Sequence, residues 1–305
     1  MAKIDPHIQG LLDAMAESGF ALPDPMTPES LRAILDNPIP GPPVEIAEQR
    51  DITIGSEAGE LSGRLYRSGS NETLPVILFF HGGGWVHGTL ETHDRLCAML
   101  AVQGCCAVIS VDYRLAPEHP FPAALDDAMM SLRWIKDNQA ALGIDASRIA
   151  LSGDSSGANI AAALAQAAAG DPDICHQLLF YPALDGRCET PSYKLDHAGF
   201  LSAAQMRWYW EQYAPGDLRS DPRASLALSK IDARLTPATL ITAGHDPLRD
   251  DGTAYAERLE AAGVSAVLHD FPGAIHGFAS LFGIVPLADE AIDCAGRALR
   301  EAFGQ

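Results

Sequence analysis

The sequence predicts an α/β fold with a mostly parallel central sheet flanked by helices, and three observations carry that expectation. Short, continuously apolar runs such as 76–80, 107–111 and 149–152 alternate with helical stretches, the pattern of strands buried on both faces. Of the 305 residues, 47% are hydrophobic and 20% charged, enough apolar material for a large core and far from disordered or collagen-like compositions. No internal repeat or low-complexity linker interrupts this order, so one α/β unit with local additions accounts for the chain.

Residues 5–20 and 28–36 read as two short amphipathic helices, the second capped by Thr27, with Pro28 in its first turn, and stopped by Asn37-Pro38. The run Pro38-Ile39-Pro40-Gly41-Pro42-Pro43 breaks any helix and marks a boundary. From Val44 to Tyr66, the alternation of Ile52, Ile54, Leu61 and Leu65 around Ser56-Glu57-Ala58-Gly59 predicts an antiparallel hairpin. Strands are then expected at 76–80, 107–111, 149–152, 178–181, 239–243 and 266–271, with helices at 92–103, 123–139, 158–169, 252–262 and 287–302. The interval from Tyr181 to Thr239 is too long for one crossover, so 186–215, with Met206, Trp208, Tyr209, Trp210 and Tyr213, is expected to form a helix outside the sheet. The resulting division is N-terminal cap helices at 1–43, a core in two parts at 44–185 and 216–305, and a cap insertion at 186–215.

Lys and Arg number 21 against 40 Asp and Glu, a formal charge of −19, which argues against nucleic acid or an anionic membrane surface as partner. The first twenty residues are broken by Asp5, His7, Gln9, Asp13 and Glu17 and form no secretory h-region, and no apolar run is long enough to span a bilayer. A cytoplasmic location is expected. Cys97, Cys105, Cys106, Cys175, Cys188 and Cys294 show neither disulfide-framework density nor C-x-x-C spacing and read as reduced, mostly buried thiols. His81, His87 and His93 are six apart each time, which puts no two on one helical face, so no zinc site is expected.

The chemistry concentrates in a few segments. Gly153-Asp-Ser155-Ser-Gly157 is a G-x-S-x-G motif between an expected strand and an expected helix, where a tight turn can hold a serine hydroxyl above the sheet at a helix N-terminus. His81-Gly82-Gly83-Gly84-Trp85 directly follows the strand at 76–80. Three glycines let several backbone N–H groups converge on one developing negative charge, and no Lys or Arg follows closely to favour a phosphate nest. Downstream of Ser155 stand His176, His197, His245, His269 and His276. Of these, His276 lies in a glycine-flanked loop after a strand, His269 within that strand and His176 before another. Asp246 ends the strand at 239–243, while Asp250 and Asp251 compete with it but lie a turn further on, where helix capping is the blander role. Asp112, Arg114, Glu118 and His119 crowd Pro117, Pro120 and Pro122 and read as ion-paired groups pinning a proline-rich turn, with cis bonds before Pro117 or Pro122. Trp85, beside the glycine run, is expected to line a substrate pocket, and the aromatics at 206–213 read equally as cap core or as pocket wall.

These motifs, with Asp112-Tyr-Arg-Leu-Ala-Pro-Glu-His-Pro-Phe-Pro-Ala123 and Asp246-Pro-Leu-Arg-Asp-Asp-Gly252, resemble the hormone-sensitive-lipase family of α/β-hydrolases, the bacterial carboxylesterases marked by H-G-G-G and G-D-S-A-G. The resemblance covers nearly the whole chain; Ser156 replaces the usual alanine and Asp251 the usual glutamate. It implies an α/β-hydrolase fold with a small helical cap and hydrolysis of short- to medium-chain acyl esters of small molecules. Ser155 would be the nucleophile, His276 the base and Asp246 its orienting acid, with the N–H groups of Gly83, Gly84 and Ser156 as oxyanion hole and Trp85, Met206 and Trp210 in the substrate pocket. No metal or organic cofactor is implied, and a homodimer is expected because the family often dimerises. A lipase, a deacetylase or an amidase would use the same triad. A binding-only member lacks the histidine that stands here at His276.

Overall fold

In the computed structural model, which describes residues 2–56, 59–69, 73–195 and 200–305, the first two helices start where the capping residues dictate. Asp5 accepts the N–H groups of His7 and Ile8 to open α1 (Pro6–Glu17), and Thr27 and Ser30 cap one another reciprocally to open α2 (Pro28–Leu35). The chain continues through β1 (Glu48–Ser56), β2 (Gly59–Arg67), β3 (Leu74–Phe80), α3 (Asp94–Gly104), β4 (Ala107–Val111), α4 (Ala123–Asp137), α5 (Gln139–Leu142), β5 (Ile144–Asp154) and α6 (Ser156–Ala167). After β6 (Ile174–Phe180) come α7 (Ala203–Tyr213), β7 (Ala238–His245), α8 (Arg249–Ala261), β8 (Ala266–Ile275) and α9 (Pro286–Ala302). β1 and β2 form the expected antiparallel hairpin, with Ile54 opposite Leu61; Glu57 and Ala58 of its turn lie outside the described residues.

The strands form a sheet in the order β1-β2-β4-β3-β5-β6-β7-β8. β2 pairs antiparallel with both β1 and β4, and every other neighbouring pair is parallel. β3, β4 and β7 are buried along their whole length, which is why they read as unbroken apolar runs. Successive residues feed opposite core layers: Leu78 and Phe80 pack with Ala128, Leu132, Ala158 and Ala162, whereas Ile77 and Phe79 pack with Leu96, Leu100, Ala291 and Leu299.

The structure also corrects several sequence expectations. β5 begins five residues before the expected 149 because Ile144 and Asp145 pair with Leu74 and Pro75 ahead of a register shift; the polar Asp145, Ser147 and Arg148 hid that extension. β6 likewise starts at Ile174, so His176 lies inside the strand, where it shares a 3.0 Å hydrogen bond with Thr239. Only Cys97, Cys106 and Cys188 are buried; Cys105 is exposed, and Cys175 and Cys294 are partly so.

The chain runs from β3 to β4 on one side and returns across β3 to β5 on the other. The loops leaving β3 and β5 therefore diverge at a topological switch point, where open parallel sheets have room for a site. Register places Phe80 beside Gly153, so the glycine run and the serine turn leave the sheet side by side. Among the described residues no helix is long and apolar enough to cross a membrane.

The N-terminal helices attach to opposite core layers. Ile8 is fully buried with the α9 layer, Leu31 with the other, and the Asp5 N–H donates to Gly273 O at 2.9 Å. Arg32 reaches Val86 O at 2.8 Å and grips both carboxylate oxygens of Glu118 at 2.7 Å. Leu31→Ala should lower stability by about 2–5 kcal/mol through the cavity it leaves, read as a fall in denaturation midpoint. A change below about 1 kcal/mol would show that α2 only lies on the core and is not part of it.

Candidate active site

Ser155 is held at φ 55° and ψ −117° between the end of β5 and the start of α6, a left-handed backbone that a non-glycine residue adopts only when its surroundings impose it. Its N–H donates to Phe180 O of β6 at 2.9 Å. The flanking glycines are required by close approach: a Cβ on Gly157 would stand 2.0 Å from Phe80 O, and one on Gly153 would meet the Gly157 backbone at 2.4 Å. The turn thus tucks α6 against the end of β3 and lifts the serine side chain clear of the sheet.

His276 follows β8 directly and Asp246 follows β7 directly. His276 Nε2 lies 2.9 Å from Ser155 Oγ, and its Nδ1 lies 2.7 Å from Asp246 Oδ2. Asp246 is fully buried and accepts a second bond from the Leu248 N–H at 2.9 Å. A carboxylate at Nδ1 sets that nitrogen as the donor and leaves Nε2 as acceptor for the serine proton. The Tyr181 ring stands edge-on to the imidazole at 4.8 Å. Of the other downstream histidines, His176 and His269 lie in strands, His245 Nε2 is 2.9 Å from Ala2 O, and His197 lies outside the described residues.

Beside the serine, Gly83 and Gly84 have φ of 119° and 60°, and among the described residues neither backbone N–H has a protein acceptor. Ser156, as the first residue of α6, has its N–H free of the helix ladder. Gly82 N–H is differently employed: it donates to Asp154 Oδ1 at 2.8 Å, and His93 Nε2 meets the same oxygen at 3.0 Å. Burial pushes the Asp154 carboxyl up, but His93 and the Gly82 N–H outweigh it and hold the group below the usual carboxylate range. On sequence alone Asp154 has no role and His93 is weighed only as a zinc ligand. Asp154 occupies a position of the motif that any residue can fill, and no spacing rule links it to loops 72 and 61 residues away.

His81 is buried with Nδ1 on Gly82 O at 2.8 Å, its ring stacked 4.4 Å from Tyr113, and its pKa pushed down to about 3, chiefly by burial. Trp85 stacks face to face on Tyr213 at 4.3 Å and meets Trp210 at 4.6 Å; with Met206, both tryptophans are closed to solvent. These aromatics form one cluster between the glycine loop and α7. In the 112–122 segment, both Ala116-Pro117 and Phe121-Pro122 are cis. The expected ion pairs form outside the segment: Arg114 pairs with Asp127 and Glu118 with Arg32. Among the described residues no three His, Cys, Asp or Glu side chains stand together as metal ligands.

Residues 77–280 match the family model described as the alpha/beta hydrolase fold. The chain is 40% identical to the carboxylesterase NlhH of Mycobacterium tuberculosis over 98% of its own length and 96% of that protein. It is also 40% identical to the ethyl acetate hydrolase of Pseudomonas putida, over 82% of each chain. Among solved structures, ester-hydrolase EH1AB1 from the metagenome of Lake Arreo, complexed with a bipyridine phosphonate derivative, superposes with a TM-score of 0.91 at 40% identity, covering 99% of this chain and all of that one.

Contrary to the helix-capping role expected from the sequence, Asp250 and Asp251 do not cap α8; both turn toward the chain that follows β6. Asp250 accepts the Ser192 N–H at 2.8 Å, and buried Asp251 accepts those of Leu184 and Asp185 at 3.1 and 3.0 Å. Burial raises the Asp251 carboxyl well above its ordinary value, reinforced by the charges of Asp185 and Asp246 against those two N–H bonds. The folded state therefore holds this proton more tightly than the unfolded chain. Its contribution is complete below the unfolded carboxyl value and is lost as pH rises through the folded one, at about 1.4 kcal/mol per unit of displacement. Asp251→Asn imitates the protonated group, so the variant should equal or exceed the parent in melting temperature at pH 8 and lose that advantage toward pH 4. A variant less stable at pH 8 by more than about 1 kcal/mol would show that the two N–H groups keep the carboxylate ionised.

Proposed function

The chain belongs to the hormone-sensitive-lipase-like branch of the alpha/beta hydrolase fold family, and from that premise we propose that it is a carboxylic ester hydrolase working through an acyl-enzyme on Ser155, with small-molecule esters of short to medium acyl chain as substrates. The observation that carries this reading is the unbroken line of hydrogen bonds from Asp246 through His276 to Ser155, at 2.7 and 2.9 Å.

In this mechanism Ser155 Oγ attacks the ester carbonyl as His276 Nε2 takes its proton, and buried Asp246 stabilises the imidazolium through Nδ1. The carbonyl oxygen, now negative, receives the N–H groups of Gly83, Gly84 and Ser156, each worth about 3 kcal/mol of transition-state stabilisation. The imidazolium returns its proton to the leaving alcohol. Water, deprotonated by the same imidazole, attacks the acyl-enzyme, and collapse releases the carboxylic acid and restores Ser155. Every proton is accounted for within the triad and its substrate, so the cycle calls on no metal or organic cofactor. Trp85, Met206 and Trp210 are assigned to the pocket wall on the cap side, and the protein to the cytoplasm, where its six free thiols stay reduced.

Ser155→Ala should keep the fold and lower ester hydrolysis by about four orders of magnitude, and a phosphonate ester should leave one adduct, on the Ser155 peptide. Asp246→Asn should cost far more activity than Asp250→Asn. Residual activity above about a tenth in Ser155→Ala would end this assignment.

On a series of p-nitrophenyl esters of rising acyl length, each accommodated methylene should add up to about 0.8 kcal/mol to transition-state binding until the wall is reached. Deleting residues 1–36 should blunt that optimum while leaving phosphonate labelling of Ser155 intact. An unchanged acyl profile would remove the N-terminal helices from the cap.

A further inference from the structure

The cap helix α7 touches the glycine loop at Gly84. A Cβ on Gly84 would lie 2.2 Å from Cδ1 of Tyr209 and 2.5 Å from Cγ and Cε1, so the tyrosine ring of α7 rests directly on the Gly84 backbone. The hydroxyl of the same tyrosine shares a 3.0 Å hydrogen bond with His87 Nε2. The N–H of His87 in turn donates to Gly83 O at 3.0 Å. Gly83 O and Gly84 N–H belong to one peptide plane, so these three contacts close a ring around a single peptide unit.

The surroundings make that ring stiff. Tyr209 is 6% exposed, and burial, with His93 and Arg32 nearby, pushes His87 down to about 4, leaving it neutral near pH 7. From the N-terminal helix α2, Arg32 Nε donates to Val86 O at 2.8 Å, and Gly88 N–H donates to Oδ1 of Asp36, at that helix's end, at 2.7 Å. On the sheet side Gly82 is fastened to Asp154. Loop 82–88 is therefore tied at both ends, and its middle peptide leans on α7.

We propose that Tyr209 is a positioning residue for ester hydrolysis: its ring and its bond to His87 orient the peptide that carries the Gly84 N–H, which makes the cap helix a structural part of the oxyanion hole. This rests on the Ser155 acyl-enzyme reading and extends it. The cap then does more than bound the pocket, because substrates that displace α7 also misalign a donor to the transition state. Their penalty falls on kcat.

The experiment compares Tyr209→Phe and Tyr209→Leu with the parent protein. Both should keep KM within about twofold while kcat falls, by several-fold for Tyr209→Phe and about 10- to 100-fold for Tyr209→Leu, less than outright removal of a donor. A trifluoromethyl ketone, which forms a tetrahedral adduct with the serine, should lose affinity by the same factor as kcat/KM. The matching trifluoromethyl secondary alcohol, which cannot, should bind as before. Equal losses for ketone and alcohol, or a rise in KM with kcat intact, would make Tyr209 a pocket wall only and overturn the proposal. So would unchanged kcat and ketone affinity in Tyr209→Phe, the variant that decides if Tyr209→Leu does not fold. Activity that survived Ser155→Ala would instead bring down the acyl-enzyme reading, whereas activity abolished there but untouched by both Tyr209 changes would bring down only the positioning role.

Discussion

Asp154 stands between Gly153 and Ser155 in the chain, yet its carboxylate serves the neighbouring loop, accepting Gly82 N–H and His93 from a position 6% exposed. A charge-assisted bond in so closed a setting is strong and directional. It fixes the start of the glycine run relative to the serine turn, across the switch point between β3 and β5. Everything that requires a serine oxygen and backbone N–H groups to address the same atom depends on that fastening. The parallel register alone brings the two turns alongside; the carboxylate sets their distance.

Burial then divides labour among the histidines. His81, His87 and His176 are pushed down to about 3, 4 and 4, chiefly by the cost of charging a buried imidazole. Held neutral, they act through geometry: His81 on Gly82 O, His87 on Tyr209, His176 on Thr239. His276 differs in its partners, with a carboxylate on one nitrogen and a hydroxyl on the other. An imidazole flanked in this way can accept a proton and be stabilised as it does so.

The sequence carried the parallel sheet and the positions of Ser155, Asp246 and His276 because each depends on local rules. Apolar runs mark strands, glycines mark tight turns, and a strand's end marks where a side chain can leave the sheet. What it did not carry depends on contacts between distant segments. β5 reaches back to Ile144 because Leu74 and Pro75 are there to pair with it. Arg114 and Glu118 looked like partners within one loop, but Asp127 and Arg32 offer them better geometry from elsewhere. Asp251 had the position of a capping residue, and only the fold shows it accepting two N–H groups of the 184–185 turn. Long-range hydrogen bonds leave no periodicity, which is why the bonds of His93 to Asp154 and of Tyr209 to His87 could not be read from the sequence, while the glycine run at Gly83 and Gly84 could.

The two halves of the site are supported by different physics. The residues that follow β3, β5, β7 and β8 inherit their positions from a ladder of backbone hydrogen bonds that no side-chain substitution removes. α7 belongs to the long excursion between Phe180 and Ala238 and adds no strand to the sheet. It meets the glycine loop through side chains: Tyr209 on Gly84, and Trp210 and Tyr213 on Trp85. In the proposed ester hydrolysis, changing those aromatics would repack α7 without disturbing the ladder, so that substrate preference would shift while the serine, histidine and carboxylate keep their alignment. The arrangement has one point where that independence fails. At Gly84 the cap's packing and the sheet's backbone share a single peptide, and there a change made for specificity also bears on the chemistry.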